Sequence, residues 1–416
     1  ILLYIGLCCK FLGHLIYFYV ELLPFDNKIF LIISIILLLL ISFIISYRYL
    51  SIKNNTKAPD GENNNDSIID NDNSNPSSLE DIQLKKAKEL LSNMSLEEKV
   101  GQMFLIRCNR ITALEDINKY KVAGFILFDE NIQGENKESL SAKIKSYQEN
   151  SSLNMIIAID EEGGIVNRLS WYPEFRDVPF HSPQELYNEG GYPLIISDTK
   201  EKATLLKSIG INMNLAPVAD ISIDPNDYIY PRSFGKNAEE TATYIKTVVE
   251  TMKEKKIASA LKHFPGYGNN LDTHSGLSID NRSYESFINN DFIPFKAGID
   301  AGADSILVSH NIINSMDETL PASISKKVHD IIRDNLGFNG VIMTDDLQMS
   351  AIKEYIGEIN SAIFAVNAGN DLIISSDYSI QIPTVIEAVK NGDIKEETID
   401  NAVLRVLKLK LKLGII

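Results

Sequence analysis

Eight short apolar runs recur beyond residue 100, each rich in Ile, Val, Leu, Met and Ala, and none alternates between apolar and polar positions. They are Met103 to Ile106, Gly124 to Phe128, Met155 to Ile159, Met213 to Ala216, Ala258 to Lys262, Ser305 to Ser309, Val341 to Met343 and Leu372 to Ser375. Compact runs without alternation predict strands buried on both faces, as in a parallel sheet. The segments between them carry helical spacing. Ser95-Leu96-Glu97-Glu98 is a capping box that opens one helix, and Ser78 with Asp81 is a looser one. Eight strand–helix units over roughly 330 residues predict the α/β class and a (β/α)8 TIM-type barrel, a single catalytic domain covering 78–416, with a doubly wound open sheet as the alternative.

Polar residues collect directly after these runs: Asp160 after the third, Lys262 and His263 after the fifth, His310 after the sixth and Asp345 after the seventh. In a barrel such positions converge on one mouth, so the pattern predicts a shared active site there.

The first part of the chain reads differently. Ile29 to Tyr47 is an uncharged apolar run. At about 1.5 Å per helical residue it covers most of the hydrocarbon layer, so a transmembrane helix is expected over 29–47. Ile1 to Leu23 is also apolar but carries Lys10, His14 and Glu21, and reads as a second span or an interfacial helix, making 1–50 the membrane region. The chain opens on Ile rather than Met, so spans are not counted from this end. Residues 51–77 are rich in Asn, Asp and Ser and read as a flexible polar linker, averaging about 30 Å end to end. A formal net charge of −16 argues against nucleic acid or anionic lipid as a partner of the globular part. Cys8 and Cys9 lie in the first apolar stretch and Cys108 stands alone, so no intramolecular disulfide is expected in the barrel.

The densest chemistry is Lys262-His263-Phe264-Pro265-Gly266-Tyr267-Gly268-Asn269-Asn270-Leu271-Asp272-Thr273-His274, which follows a strand and must be loop after Phe264. Asp272 and His274 are close enough for the carboxylate to accept from one imidazole nitrogen, fixing the tautomer and favouring the charged ring. The alternative is a surface turn in which Asp272 only caps. Val341 to Asp346 is a strand ending in two carboxylates. Neighbouring residues leave a strand in opposite directions, so Asp345 is expected at the mouth and Asp346 as a helix cap. Asp160, with no cation beside it in the chain, suits a ligand bearing hydroxyl donors, such as a sugar. Asp160, Glu162, His263, His274, His310 and Asp345 include the ligand types of a hydrolytic zinc site. No His-x-His or His-Glu-x-x-His spacing supports one, and Lys262 and Arg232 would crowd a divalent cation, so neither metal nor cofactor is expected.

Taken in order, these motifs resemble glycoside hydrolase family 3, specifically its β-N-acetylhexosaminidase branch. The resemblance runs from Met94 to the end through Met94 to Met103, Asp160 to Arg168, Asn214 to Asp220, Arg232-Ser233-Phe234-Gly235, Lys262 to His274 and Thr344-Asp345-Asp346-Leu347. It implies a retaining glycosidase in which Asp345 attacks the anomeric carbon and a second group serves as acid and then base. Only a closing helical stretch from Pro383 to Gly414 follows the eighth strand, so the resemblance implies an acid drawn from a barrel loop: His274, oriented by Asp272. It likewise implies that Asp160 holds sugar hydroxyls while Arg168, Arg232, Lys262 and His263 line the sugar subsite. The implied substrate is a saccharide with terminal N-acetylglucosamine, commonly a cell-wall muropeptide or its disaccharide.

Three departures from the branch stand out: Tyr267 where His is usual, Ile165 where Arg is usual after the Gly pair, and a catalytic loop of altered length. Alternatives on the same scaffold are a family 3 β-glucosidase and a glycoside phosphorylase; outside enzymes, it is a membrane-held sugar-binding protein without catalysis. Arg48, Lys53 and Lys57 after the strong span, against Lys28 before it, favour a cytoplasmic barrel by the positive-inside rule. The polar tether and the likeness to wall-processing enzymes favour the outside, and a cell-membrane location with the catalytic domain extracytoplasmic is the expectation.

Overall fold

All eight apolar runs form strands. The structure, a computed structural model, describes residues 78–416 apart from 271–275, 277, 350–351, 353–354 and 357. The strands are β1 (Phe104–Arg107), β2 (Gly124–Leu127), β3 (Ile156–Ile159), β4 (Met213–Asn214), β5 (Ala258–Phe264), β7 (Ser305–Val308), β9 (Val341–Thr344) and β10 (Ile373–Ser375). Two further short strands, β6 (Ile279–Asp280) and β8 (Ile312–Ile313), pair with each other in loops beyond the main sheet. The seven pairings of the main sheet are all parallel, in the order β10-β1-β2-β3-β4-β5-β7-β9. A parallel bridge between Met343 and Leu372, with Thr344 N donating to Leu372 O at 3.2 Å, joins β9 to the start of β10. That contact brings the two ends of the sheet together as a barrel, which the open-sheet alternative would not do.

The absence of alternation in the sequence has a direct cause. Leu105, Ile126, Ala158, Ala260, Leu307, Met343 and Ile374 point inward and form one apolar cluster. Their neighbours, including Phe104, Phe125, Ile157, Leu261, Ile306, Ile342 and Ile373, belong to the cluster shared with the surrounding helices. Both faces are dry, so both sets must be apolar.

Two strands depart from their expected lengths by two residues, the others by no more than one. β4 stops at Asn214 because Pro217 has no N–H with which to extend the ladder. β5 continues to Phe264, which pairs with Val308 across a register shift, while His263 N turns aside to Asp220 Oδ2 at 3.0 Å.

Helix ends follow the sequence signals. Ser95 and Glu98 form the reciprocal capping box, and Ser78 Oγ accepts from Asp81 N at 3.2 Å at the start of Leu79–Ser92. The final helix, Glu396–Leu413, packs on that first helix and contributes Val406 and Leu409 to the barrel interior. It also buries Lys410 completely, with Nζ donating to Gln102 Oε1 at 2.7 Å. The expected span 29–47, the apolar 1–23 and the linker 51–77 lie outside the described residues. Among those described, no helix is long and apolar enough to cross a membrane.

Candidate active site

The C-terminal ends of the barrel strands open into one cavity of about 510 Å³, the size range of small-ligand sites. Asp160, Arg168, Arg232, Lys262, His263 and Asp345 all line it. Six of the eight expected site residues are thus brought together from the ends of β3, β5 and β9 and from the loops after β3 and β4. Asp272 and His274 lie outside the described residues.

The cavity wall is built on an ion cluster. Lys262, on β5, donates to Asp160 Oδ1 at 2.6 Å and lies 2.6 Å from Glu162 Oε1. Arg232, from the short 3-10 turn Tyr230–Arg232, forks onto Glu162 through Nε at 3.0 Å and Nη2 at 2.7 Å. Burial by itself would raise the Glu162 carboxyl, but the charges and hydrogen bonds of Arg232 and Lys262 outweigh it and hold that carboxyl well below its usual range. Burial likewise works against the Lys262 ammonium, and Asp160 and Glu162 reverse it, leaving its pKa raised. Asp160 therefore has a cation against it in space that the chain order did not reveal. Its remaining lone pairs can still accept from sugar hydroxyls.

His263 is fixed from behind. Its Nδ1 donates to Asp220 Oδ2 at 2.7 Å, so Nε2 is the acceptor that meets Arg232 Nη2 at 3.2 Å. Arg168 sits on a turn tied down by buried Glu161, whose carboxylate accepts from the backbone N–H groups of Arg168, Leu169 and Ser170 at 2.8 to 3.0 Å. The Arg168 Nε is buried with no protein partner among the described residues, a donor that an oxygen-bearing ligand can satisfy.

Asp345 stands at the end of β9, its backbone N bonded to Val308 O at 3.0 Å and its Oδ1 accepting from Asp346 N at 2.9 Å. Asp346 does not act as a simple helix cap. It accepts from Gln348 N and Ser376 N at 2.9 and 3.1 Å and from the Ser376 hydroxyl, tying the end of β9 to the end of β10. Burial raises its pKa. His310 also departs from expectation: it is fully buried behind the cavity. Asp346 O can only accept from Nε2 at 2.9 Å, so Nδ1 accepts from Ser323 Oγ at 2.7 Å.

The unusual Tyr267 is buried against His263, with ring centroids 5.2 Å apart, and its N–H donates to Asp220 Oδ1 at 2.7 Å. Ile165 lies at the cavity rim and is 61 % exposed. Glu162 and Asp220 are the functional positions that sequence reasoning did not select. Glu162 was visible as a carboxylate three residues past a strand end and among the ligand types of a zinc site, and Asp220 as the last residue of a loop motif. Among the described residues no group of three or more His, Cys, Asp or Glu side chains is placed to hold a metal ion.

Residues 95–409 match the family model described as the glycosyl hydrolase family 3 N-terminal domain. The chain is 28 % identical to Beta-hexosaminidase A of Pseudoalteromonas piscicida over 72 % of its own length and 55 % of that protein. It is 30 % identical to a Beta-hexosaminidase of Actinobacillus pleuropneumoniae over 67 % of its length and 80 % of that one. Among solved structures, a glycoside hydrolase family 3 beta-N-acetylglucosaminidase from Paenibacillus superposes with a TM-score of 0.73 at 30 % identity, covering 77 % of this chain and 63 % of that one. A beta-N-acetylhexosaminidase from Beutenbergia cavernae gives 0.68 at 25 % identity, over 76 % and 98 %. The chain therefore spans little more than half of the Pseudoalteromonas relative but most of the Actinobacillus and Beutenbergia ones.

Proposed function

The chain belongs to glycosyl hydrolase family 3, and on that premise we propose that it is a retaining, exo-acting β-N-acetylhexosaminidase that removes terminal N-acetylglucosamine. The observation that carries this reading is the Asp345 carboxylate lining the same cavity as Asp160, Arg168, Arg232, Lys262 and His263. A carboxylate nucleophile faces a wall of fixed donors and acceptors matched to sugar hydroxyls. In the first step an Asp345 oxygen bonds to the anomeric carbon, the glycosidic C–O bond breaks, and His274 gives its proton to the leaving oxygen. In the second, water attacks that carbon, passes its proton to His274, and releases Asp345 with net retention. Asp272 holds the imidazole in the productive tautomer. The Lys262, Glu162 and Arg232 cluster fixes the subsite before substrate arrives, so little reorganisation accompanies binding.

The substrate follows from the relatives named for hexosaminidase activity, and cell-wall-derived muropeptides or their disaccharides are the proposed natural form. A barrel tethered outside the cell membrane by residues 1–50 and the 51–77 linker is well placed for such fragments. The test is turnover of an aryl β-N-acetylglucosaminide beside the matching β-glucoside, with the first-formed sugar anomer read by proton NMR. Release confined to the N-acetyl sugar as its β-anomer is the expected result. Preference for the glucoside, an α-anomer, or glycosyl phosphate as the main product in phosphate buffer would overturn it.

A further inference from the structure

The residues around the cavity follow the same period of two that fills the barrel. Leu105, Ile126, Ala158, Ala260, Met343 and Ile374 face the interior. Two positions further along each strand, that face carries Arg107, Phe128, Asp160, Lys262, Asp345 and Ser376, and all six line the cavity. Asp160, Lys262 and Asp345 hold the sugar and attack it. The fourth charged side chain of the set, Arg107, has no part in that chemistry. Strand order shows where it stands. In the ring β10-β1-β2-β3-β4-β5-β7-β9, closed between Met343 and Leu372, β9 lies opposite β3 and β1 lies opposite β5. Asp345 is thus across the mouth from Asp160, and Arg107 is across it from Lys262. A sugar held by Asp160 and Lys262, with its anomeric carbon at Asp345, leaves the β10-β1-β2 arc for the group to which it is joined.

Arg107 is held in one orientation on that arc. Its Nε and Nη2 donate to Glu130 Oε1 and Oε2, each at 2.8 Å. Its guanidinium carbon lies 4.4 Å from the centre of the Phe128 ring. Glu130 is not among the residues lining the cavity, so it orients the guanidinium from outside. Nη1 makes no hydrogen bond to a described residue. The end-on edge, Nη1 with the second Nη2 hydrogen, therefore remains to donate. A guanidinium only donates, and a fixed planar pair of N–H groups matches the two oxygens of a carboxylate. The side chain is 43 % exposed, and an ion pair so exposed adds little to stability.

We propose that Arg107 is a specificity residue of this active site: fixed by Glu130 and stacked on Phe128, it selects substrates whose leaving group carries a carboxylate. The inference rests on the glycosidase reading above and adds to it the side chain that reads the far side of the glycosidic bond. Its signature is a dependence on the charge of the leaving group. A surface ion pair with no contact to substrate gives no such dependence, and a weakened fold affects charged and neutral substrates alike.

The experiment measures kcat/KM of the full chain and its Arg107→Gln variant on the disaccharide of N-acetylglucosamine and N-acetylmuramic acid, and on the same disaccharide with its carboxylate converted to the methyl ester. An aryl β-N-acetylglucosaminide is run beside them. The expected result is an acid-over-ester ratio of about 10 to 100 in wild type, the span of a hydrogen bond to a charged group, falling to about one in Arg107→Gln. Aryl release by wild type with a ratio near one would overturn the inference and leave the glycosidase reading standing. A high ratio that survives in Arg107→Gln would also overturn it, because the charge would then be read elsewhere. The wild-type ratio decides the matter should the variant not fold. No aryl release by folded wild-type protein overturns the glycosidase reading and this inference with it.

Discussion

Replacing Lys410 by Met should stabilise the barrel. Lys410 is 0 % exposed on the inner face of the last helix, its Nζ meets only Gln102 Oε1 among the described residues, and no ion pair is formed there. Burial pushes the ammonium down from its ordinary 10.5 to about 7. At about 1.4 kcal/mol per pH unit, holding the group in the fold near pH 7 costs on the order of 4 kcal/mol. Met fills a similar volume, and the main loss is the bond to Gln102, whose buried oxygen left unpaired costs about 1–3 kcal/mol. The net expectation is a gain of about 1–3 kcal/mol in urea unfolding near neutral pH. The sign with pH is fixed. The unfolded chain holds the proton up to 10.5 and the folded one only to about 7, so the penalty is complete below the folded value. It fades as pH rises between the two, and the advantage of Lys410→Met should shrink accordingly. A variant less stable than wild type near neutrality, or an advantage that does not change with pH, would refute the reasoning.

Glu162→Gln removes the charge that Lys262 and Arg232 share in a buried site, and should cost about 3–5 kcal/mol in denaturant unfolding. The Glu162 carboxyl is held well below its ordinary 4.5. Its stabilisation is therefore present above that value and lost only as pH falls through the lower folded one. Acid titration of stability should show that loss in wild type and not in the variant. Gly266→Ala places a Cβ 2.3 Å from Asp291 Oδ1 at φ +122; it should lower the unfolding free energy by about 2 kcal/mol or more, and an unchanged midpoint would contradict the close approach.

The barrel was legible because burial on both faces removes alternation: runs such as Ile156–Ile159 and Ser305–Val308 cannot be amphipathic strands. The site was legible where chemistry sits at a strand end, as with Asp160, Lys262, His263 and Asp345. It was not legible where partners come from distant loops. Glu162 receives Arg232 from 70 positions away, and Asp220 receives His263 from 43 away; no local pattern encodes either meeting. Asp346 and His310 were misplaced for a related reason. Both look like mouth or cap residues in the chain, yet each is drawn to a neighbour on another strand end, Asp346 to Ser376 and His310 to Ser323 and the Asp346 carbonyl.

The most direct test of the glycosidase account is hydrolysis of an aryl β-N-acetylglucosaminide by the full chain beside its Asp345→Asn variant. The account predicts aryl release by wild type and a loss of at least about 10³-fold in the variant, since the substitution removes the attacking carboxylate, with the fold and the affinity for N-acetylglucosamine retained. Release that is unchanged in Asp345→Asn, or no release by folded wild-type protein, would contradict it.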